Sequence, residues 1–160
     1  MMQATIRAAT QADYEGICEL YAEADALHAE ALPDLFRVAD GPARTWEFIR
    51  QLIEDENVAL LVAEAGGQLL GVIEVTERVV PEFSCVVPRR YAQVESLAVK
   101  AGHRRHGIGR SLMEEARRWA VSRGLPRVEL IVWEFNQGAI AFYDELGYKP
   151  ANRRMWLSTE

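Results

Sequence analysis

A predicted strand, a short basic loop and an amphipathic helix follow one another along the chain, and this order constrains the fold most. Residues 91–99 carry polar and apolar side chains on alternating faces, as expected of a strand. From Gly107 the apolar residues change to helical spacing, and Gly124 ends that pattern. A second β run follows at 128–133. Two strands joined by one helix predict a parallel pair, because such a crossover brings the chain back to the same end of the sheet.

Before this unit, the chain predicts one strand and two helices. A short strand is expected at 3–8, and a helix with apolar residues three to four positions apart follows. Residues 28–41 interrupt that spacing with proline, aspartate and glycine, which predicts a loop. A second helix is expected to begin near Pro42, since proline is tolerated at a first helical position. At the other end of the chain, residues 153–158 predict a last strand.

The clearest local signal is a β-hairpin. An apolar run at 58–65, the turn dipeptide Gly66-Gly67 and a second β run at 69–75 follow one another directly. With the later strands, this hairpin predicts an α/β fold whose mixed, largely antiparallel central sheet is flanked by helices. A parallel pair is expected after strand four. The length suits a single domain, which we expect over residues 1–160.

Composition and charge exclude several classes of protein. Hydrophobic residues make up 49% of the chain and charged residues 26%, which is enough apolar material for a core. The net charge of -6 argues against a nucleic-acid-binding surface and favours cationic acceptors. No segment approaches the roughly 20 apolar residues of a membrane span, and no signal peptide is evident, so we expect a cytoplasmic protein with no membrane partner. The histidines lack further ligands at metal-binding spacing, so no metal is expected.

Basic residues concentrate in the loop between the strand and the helix. No acidic residue lies between Glu95 and Glu114, and this interval contains six basic or imidazole side chains: Lys100, His103, Arg104, Arg105, His106 and Arg110. A helix N-terminus presents unpaired N–H groups and a partial positive charge, which together attract anions. Glycines at 107 and 109 would let a ligand come close to the backbone. The segment therefore predicts a phosphate-binding loop, with a solvated basic turn as the alternative.

Two motifs in this part of the chain resemble a known family. The run Arg104-Arg105-His106-Gly107-Ile108-Gly109 fits the pattern R-x-x-G-x-G, and residues 136–148 fit N-x-x-A-x-x-x-Y-x-x-x-G-[FY]. In this order around a strand, they resemble the coenzyme A site of the GNAT superfamily. The resemblance implies the GNAT fold and a transferase, an acetyl-CoA-dependent N-acyltransferase that moves an acetyl group to a primary amine of a small molecule or peptide by direct attack.

The resemblance also implies which residues contact acetyl-CoA, the acyl-donor substrate. The main chain of Leu97, Ala98 and Val99 would pair with the pantetheine arm as an added strand. The pyrophosphate would bind mainly backbone N–H groups in the following segment: Arg104, Arg105, His106, Gly107, Ile108, Gly109 and Arg110. Asn136 would reach the cofactor arm, and a helix N-cap is its alternative role.

Two residues are expected to carry the proton transfers of catalysis. By resemblance, Tyr143 contacts the cofactor and is the general acid that protonates the sulfur of coenzyme A. It also lies on the apolar stripe of its predicted helix, so a packing role is the alternative. Glu95 is a charged residue in an otherwise apolar strand, where an unpaired carboxylate is costly. The resemblance implies that it accepts the amine proton, while a structural ion pair would equally explain it.

Other functions and partners stay open at this point. A coenzyme-A-binding regulatory module with little catalysis would have the same motifs. A protein N-terminal acetyltransferase, or an enzyme for a longer acyl donor, would also share them. Nothing in the sequence identifies the acceptor amine or decides between a monomer and a homodimer.

Overall fold

The computed structural model describes residues 4–160. Their helices and strands follow in this order: β1 (Thr5–Ala8), α1 (Tyr14–Ala31), α2 (Trp46–Glu54), β2 (Val58–Ala65), β3 (Gln68–Val80), β4 (Arg89–Val99), α3 (Ile108–Ser122), β5 (Val128–Leu130) and α4 (Gln137–Glu145). Single 3-10 turns at Gln11–Asp13 and Ala101–His103 precede α1 and follow β4. Residue 3 of the predicted first strand lies outside the described residues.

The strands form one sheet in the order β1-β2-β3-β4-β5. Every neighbouring pair is antiparallel except β4 and β5, which are parallel and joined by the α3 crossover. The hairpin of β2 and β3 turns at Gly66 and Gly67, both with positive φ, as a tight two-residue turn requires. The predicted fold class is therefore confirmed: a mixed, largely antiparallel sheet has a parallel pair after strand four.

The two faces of the sheet bury separate cores. Helices α1 and α2 cover one face, where Ile17, Tyr21 and Ile49 pack against Val62 and Val72. Helices α3 and α4 cover the other face. Its core combines buried residues of the strands and of α3: Ala63, Ile73, Val75, Val94, Leu112, Met113 and Ala116. Each fully buried aliphatic side chain contributes about 1.5–3 kcal/mol. We refer below to the α1 face and the α3 face.

The first two helices differ from their predicted bounds. Helix α1 continues to Ala31, so only the later part of the predicted loop at 28–41 is irregular. Helix α2 begins at Trp46 and not near Pro42, because Thr45 is its N-cap. The Thr45 hydroxyl oxygen accepts a hydrogen bond from the backbone N–H of Phe48 at 3.2 Å. A side-chain cap satisfies an N–H group that a preceding proline cannot.

One predicted strand is absent, and another is shorter than predicted. Residues 153–158 contain no strand, and Met155, Trp156 and Leu157 are exposed. A strand needs a partner to satisfy its backbone groups, and none of residues 4–160 pairs with this segment. Strand β5 ends at Leu130, three residues before its predicted end, because β4 has already separated from it.

Candidate active site

Strands β4 and β5 separate at a β-bulge. Their parallel pairing ends at Val94 and Leu130. On the other side of β4, the register with β3 shifts at this position: Val75 pairs with Val94, whereas Glu74 pairs with Ser96. Glu95 is therefore the extra residue on β4. A bulge bends its strand and increases the local twist, which opens a gap between the C-terminal half of β4 and the segment after β5.

The backbone of β4 turns unpaired groups toward this gap. The N–H of Lys100 donates to the carbonyl oxygen of Leu70 at 2.9 Å, so that pair is hydrogen-bonded. Hydrogen-bonded and non-bonded pairs alternate in an antiparallel ladder, and Ala98 thus also bonds to β3. The backbone groups of Leu97 and Val99 point away from β3, into the gap. The Val99 carbonyl accepts from the side-chain Nε of Arg104 at 3.0 Å. The Val99 N–H and the N–H and C=O of Leu97 are left without a hydrogen-bond partner within residues 4–160, and we call them open.

The N-terminus of α3 lies just beyond β4 and has no cap. Gly107 occupies the N-cap position without a side chain, and no acidic residue stands in the first turn. The first intrahelical bond is donated by Ser111 to Gly107 at 3.0 Å. The N–H groups of residues 108–110 therefore find no acceptor within the described part of the chain. Such free N–H groups, with the positive end of the helix dipole, form an anion-binding site.

The loop before α3 bends through two residues with positive φ. Arg105 has φ 64° and Gly107 has φ 83°. No atom lies within 4 Å of a Cβ built on Gly107, so this position requires glycine for its conformation. Gly109 differs, since its Cβ would lie 3.3 Å from Cζ of Phe142. The lack of a side chain at Gly109 lets α4 pack on α3, and close approach of a ligand to its backbone stays a prediction.

Asn136 caps the helix α4. Its Oδ1 accepts from the N–H of Ala139 at 3.1 Å, so the alternative role as an N-cap is observed. No hydrogen bond within residues 4–160 uses its Nδ2 group. The cap orients the side chain without occupying its donor, so Asn136 can still donate to a ligand beside the N-terminus of α4.

Tyr143 lies on the α3 face, half-buried beside the core. Its ring packs against Phe142 at 5.2 Å and Tyr148 at 5.9 Å between centroids. Burial raises the pKa of the phenol to about 12, and the neighbouring Tyr148 adds to that effect. The hydroxyl makes no hydrogen bond to residues 4–160. Tyr143 thus presents a free, protonated hydroxyl at neutral pH.

Glu95 is not buried, contrary to expectation. As the bulge residue it is exposed, and its Oε1 accepts from Nε of Arg78 at 3.0 Å. The bulge turns this side chain out of the core, so the carboxylate avoids the cost of burial in a central strand. The ion pair that was the alternative explanation for Glu95 is present.

A second carboxylate near the bulge was not predicted as a site residue. Glu74 of β3 lies on the α1 face opposite Ser96. Tyr21 of α1 joins these two residues, since its hydroxyl lies 2.8 Å from Ser96 Oγ and 3.4 Å from Glu74 Oε2. Burial, and then the negative charge of Glu95, raise the pKa of Glu74. An acid within the apolar run at 69–75 was the signal that could have identified it.

Aromatic rings link the end of α1 to the segment after β5. The ring of His28 packs edge to face on Phe36 and Phe135, and Phe36 packs on Trp133, all with centroids 5.4 Å apart. His28 Nδ1 donates to the carbonyl oxygen of Ala24 at 2.8 Å, which is typical of a packing histidine. This aromatic cluster borders the α1 side of the site with apolar surface.

The described residues hold no candidate metal site, since no group of three or more histidine, cysteine or acidic side chains is close enough to bind one ion. Likewise, none of the helices between residues 4 and 160 is long and apolar enough to cross a membrane.

Solved structures share this architecture. A mutant of the BH1408 protein from Bacillus halodurans superposes with a TM-score of 0.93 and 25% identity, over 98% of this chain and 99% of that one. An aminoglycoside N-acetyltransferase, AAC(6')-Iy, in complex with CoA superposes with a TM-score of 0.73 over 99% of this chain and 96% of that one. At 15% identity, the second comparison supports the fold alone.

Sequence comparisons point to the same family. N-acetyltransferase family 8 member 3 of Rattus norvegicus is 33% identical over 88 residues, which are 55% of this chain and 37% of that protein. An uncharacterised N-acetyltransferase of Methanocaldococcus jannaschii is 30% identical over 145 residues, 91% of this chain. The chain spans 60% of the length of the archaeal relative. The model of the acetyltransferase (GNAT) family matches residues 21–148, and the chain therefore belongs to the GNAT acetyltransferase family.

Proposed function

We propose that the protein is an N-acetyltransferase that transfers an acetyl group from acetyl-CoA to the amine of a small molecule or peptide. The observation that carries this proposal is the gap after the Glu95 bulge, with open backbone groups on one side and the uncapped N-terminus of α3 at its end. Family membership supports the same chemistry. Relatives bear amine acceptors in their names, among them the aminoglycoside enzyme.

The free backbone groups suit the two polar parts of acetyl-CoA. The open N–H and C=O of Leu97 can bond the amides of the pantetheine arm as an added strand would. The N–H groups of residues 108–110 can bond the pyrophosphate, and Arg104, Arg105, His106 and Arg110 supply positive or imidazole side chains around it. Ala98 contributes no free backbone group in this arrangement, because it bonds to β3. The bound thioester supplies an activated acetyl group.

Tyr143 is proposed as the general acid. Its free hydroxyl lies on the α3 face, and a pKa of about 12 keeps it protonated over the physiological range. From there it can donate a proton to the departing sulfur. The open N–H of Val99 can donate to the acetyl oxygen, where a preorganised donor stabilises negative charge. By resemblance, Glu95 is the group that accepts the amine proton. Its carboxylate is exposed and bound to Arg78, and neither feature favours that role.

The proposed function is tested by thiol release. Purified protein is mixed with acetyl-CoA and, one at a time, spermidine, lysine, kanamycin and a peptide with a free N-terminus. We expect amine-dependent release of coenzyme A with at least one acceptor. The rival function, a coenzyme-A-binding regulatory module, predicts saturable acetyl-CoA binding and no release with any of them.

Three further expectations stay proposals. One catalytic domain over residues 1–160 is consistent with the continuous sheet. A cytoplasmic location and the absence of a nucleic-acid partner rest on composition and charge alone. Size-exclusion chromatography with light scattering would decide between a monomer and a homodimer.

A further inference from the structure

Glu74 is a half-buried carboxylate whose hydrogen bonds are incomplete. Its one polar neighbour within hydrogen-bonding range is the Tyr21 hydroxyl, and that contact to Oε2 is long, at 3.4 Å. Its Oε1 accepts no hydrogen bond from any residue in 4–160, yet this atom is not sealed from solvent. A buried carboxylate gains most from charged donors. Glu74 can therefore accept a further hydrogen bond, and a charged donor would stabilise its carboxylate most.

No cation within residues 4–160 forms an ion pair with Glu74. The two arginines that face it are bound to other carboxylates. Arg44, from the segment between α1 and α2, pairs with Asp25 at 2.9 Å, and Arg78 of β3 pairs with Glu95 at 3.0 Å. The remaining ionisable neighbours are Tyr21 and Glu95 itself, and neither supplies positive charge. Glu74 therefore forms no ion pair within residues 4–160 and can accept a hydrogen bond from a cationic ligand.

Glu74 also lies one strand away from the gap, on β3. It is directly opposite Ser96, the residue that follows the bulge, and side chains of opposite residues lie about 5 Å apart between Cβ atoms. The open backbone groups begin one residue further, at Leu97. Glu74 is on the α1 face, whereas Tyr143 is on the α3 face. The end of β4 beside the gap therefore has the proposed acid, Tyr143, on one face of the sheet and the Glu74 carboxylate on the other.

We propose that Glu74, rather than Glu95, binds the ammonium group of the acceptor and removes its proton. The inference rests on the proposed acetyltransferase function and narrows the substrate class to amines that arrive as cations. One proton passes from the ammonium ion to Glu74 and then to solvent. The nitrogen lone pair forms the C–N bond while the C–S bond breaks, and Tyr143 protonates the sulfur. A second proton, released by the new amide nitrogen, restores Tyr143.

The surroundings of Glu74 suit this role. Burial and the charge of Glu95 raise its pKa, while the Tyr21 hydroxyl, Arg44 and Arg78 act in the opposite direction. A carboxyl with a raised pKa is a stronger base once ionised, because general-base efficiency increases as the pKa approaches the working pH. The bond between Tyr21 and Ser96 positions the Tyr21 hydroxyl 3.4 Å from Oε2 of Glu74.

The test compares Glu74→Gln with Glu95→Gln, the rival base, and with the control Glu56→Gln, whose exposed side chain bonds to no residue in 4–160. For the best acceptor of the panel above, kcat/KM is measured from pH 6 to pH 10. We expect Glu74→Gln to lower kcat/KM by about 10²–10⁴-fold near pH 7. Activity should recover toward pH 10, since an aliphatic amine with a pKa of about 10.4 then loses its proton unaided. Glu56→Gln should keep the wild-type profile, and Glu95→Gln should lower kcat/KM near pH 7 less than Glu74→Gln does. Loss with pH-dependent recovery in Glu95→Gln, but not in Glu74→Gln, would overturn the proposal.

A measurement without turnover separates this inference from the proposed function. The carboxyl ¹³C resonance of Glu74 is titrated in the wild-type protein, with and without spermidine. We expect a midpoint above the ordinary value of about 4.3, and a lower midpoint when spermidine is present because a cation favours the charged form. A midpoint that spermidine leaves unchanged contradicts ammonium binding at Glu74. Absence of acetylation with every acceptor, by contrast, contradicts the proposed function itself.

Discussion

At the scale of single residues, the hydroxyl of Tyr143 separates catalysis from packing. Tyr143→Phe keeps the ring that contacts Phe142 and Tyr148 and removes only the proposed acid. We expect unchanged acetyl-CoA affinity and a decrease in kcat of about 10²–10⁴-fold. The measurement is steady-state kinetics with one good acceptor. Tyr148→Phe, the matched control, should retain its turnover. Equal kcat values for Tyr143→Phe and the wild type would assign Tyr143 to packing.

The two carboxylates at the bulge show how far single residues could be predicted. A charged residue in an apolar strand was a sound reason to single out Glu95, and the same reason applies to Glu74 in the apolar run at 69–75. The sequence alone does not show the bulge, which depends on the register between β3 and β4. That register exposes Glu95 and leaves Glu74 half-buried. The helix cap by Asn136 was predictable because a cap needs only local sequence.

At the scale of elements, the junction of β1 and α1 is held by a buried carboxylate. Asp13 is 8% exposed and accepts bonds from Arg7 at 2.7 and 2.8 Å and from the N–H of Thr10 at 2.7 Å. Hydrogen bonds from Arg7 hold the pKa of Asp13 at about 2. A lowered pKa stabilises the fold fully above the unfolded value of about 3.9, and this stabilisation is lost as the pH falls toward 2.

We expect Asp13→Asn to lower the free energy of unfolding by about 1–3 kcal/mol at pH 7. The difference from the wild type should become smaller at pH 3, where the carboxylate contributes less. Urea denaturation at both pH values measures it. Asp34→Asn, in an exposed loop, is the control and should change neither value. If the free energies of unfolding of Asp13→Asn and the wild type differ by the same amount at pH 7 and pH 3, the ionic origin of this stabilisation is contradicted.

The loop before α3 depends on glycine at one position more than at the others. Gly107→Ala places a side chain at φ 83°, which costs about 1–2 kcal/mol, and it should also weaken acetyl-CoA binding by shifting the free N–H groups. Gly102→Ala is the matched control, since a Cβ there meets nothing within 4 Å and φ is not positive. Denaturation and calorimetric titration measure the two effects. Equal affinities for the two variants would argue against backbone recognition of the pyrophosphate.

The elements with strong local sequence signals are present as predicted. The strand predicted at 153–158, which would need a pairing partner from elsewhere in the chain, is not. The hairpin of β2 and β3, the helix α3 and the crossover to β5 follow from turn residues and periodicity. The segment 153–158 has strand-like residues, but pairing is a property of two segments and none of the described residues supplies the second. Helix α2 begins later than expected because the Thr45 side chain caps its N-terminus, whereas proline at position 42 is only tolerated at a helix start.

At the scale of the whole molecule, the gap between β4 and β5 connects the two faces of the sheet. The α3 face carries Tyr143 and the free N-terminus of α3, and the α1 face carries Glu74 and the aromatic cluster of His28, Phe36, Trp133 and Phe135. The acyl donor and the acceptor can therefore approach from opposite faces. The loop and the helix N-terminus of the proposed donor side could be predicted because they are contiguous in sequence. The acceptor side combines residues distant in sequence, so it was not predictable.

Hydrogen exchange at β4 tests the central claim, that acetyl-CoA binds as an added strand in this gap. In the free protein, the amide protons of Leu97 and Val99 should exchange rapidly, whereas that of Ala98 should be protected by its bond to β3. Saturation with acetyl-CoA should protect Leu97, Val99 and residues 108–110 and leave Ala98 as it was. If the exchange of Leu97 and Val99 is the same with and without saturating acetyl-CoA, the proposed binding mode is contradicted.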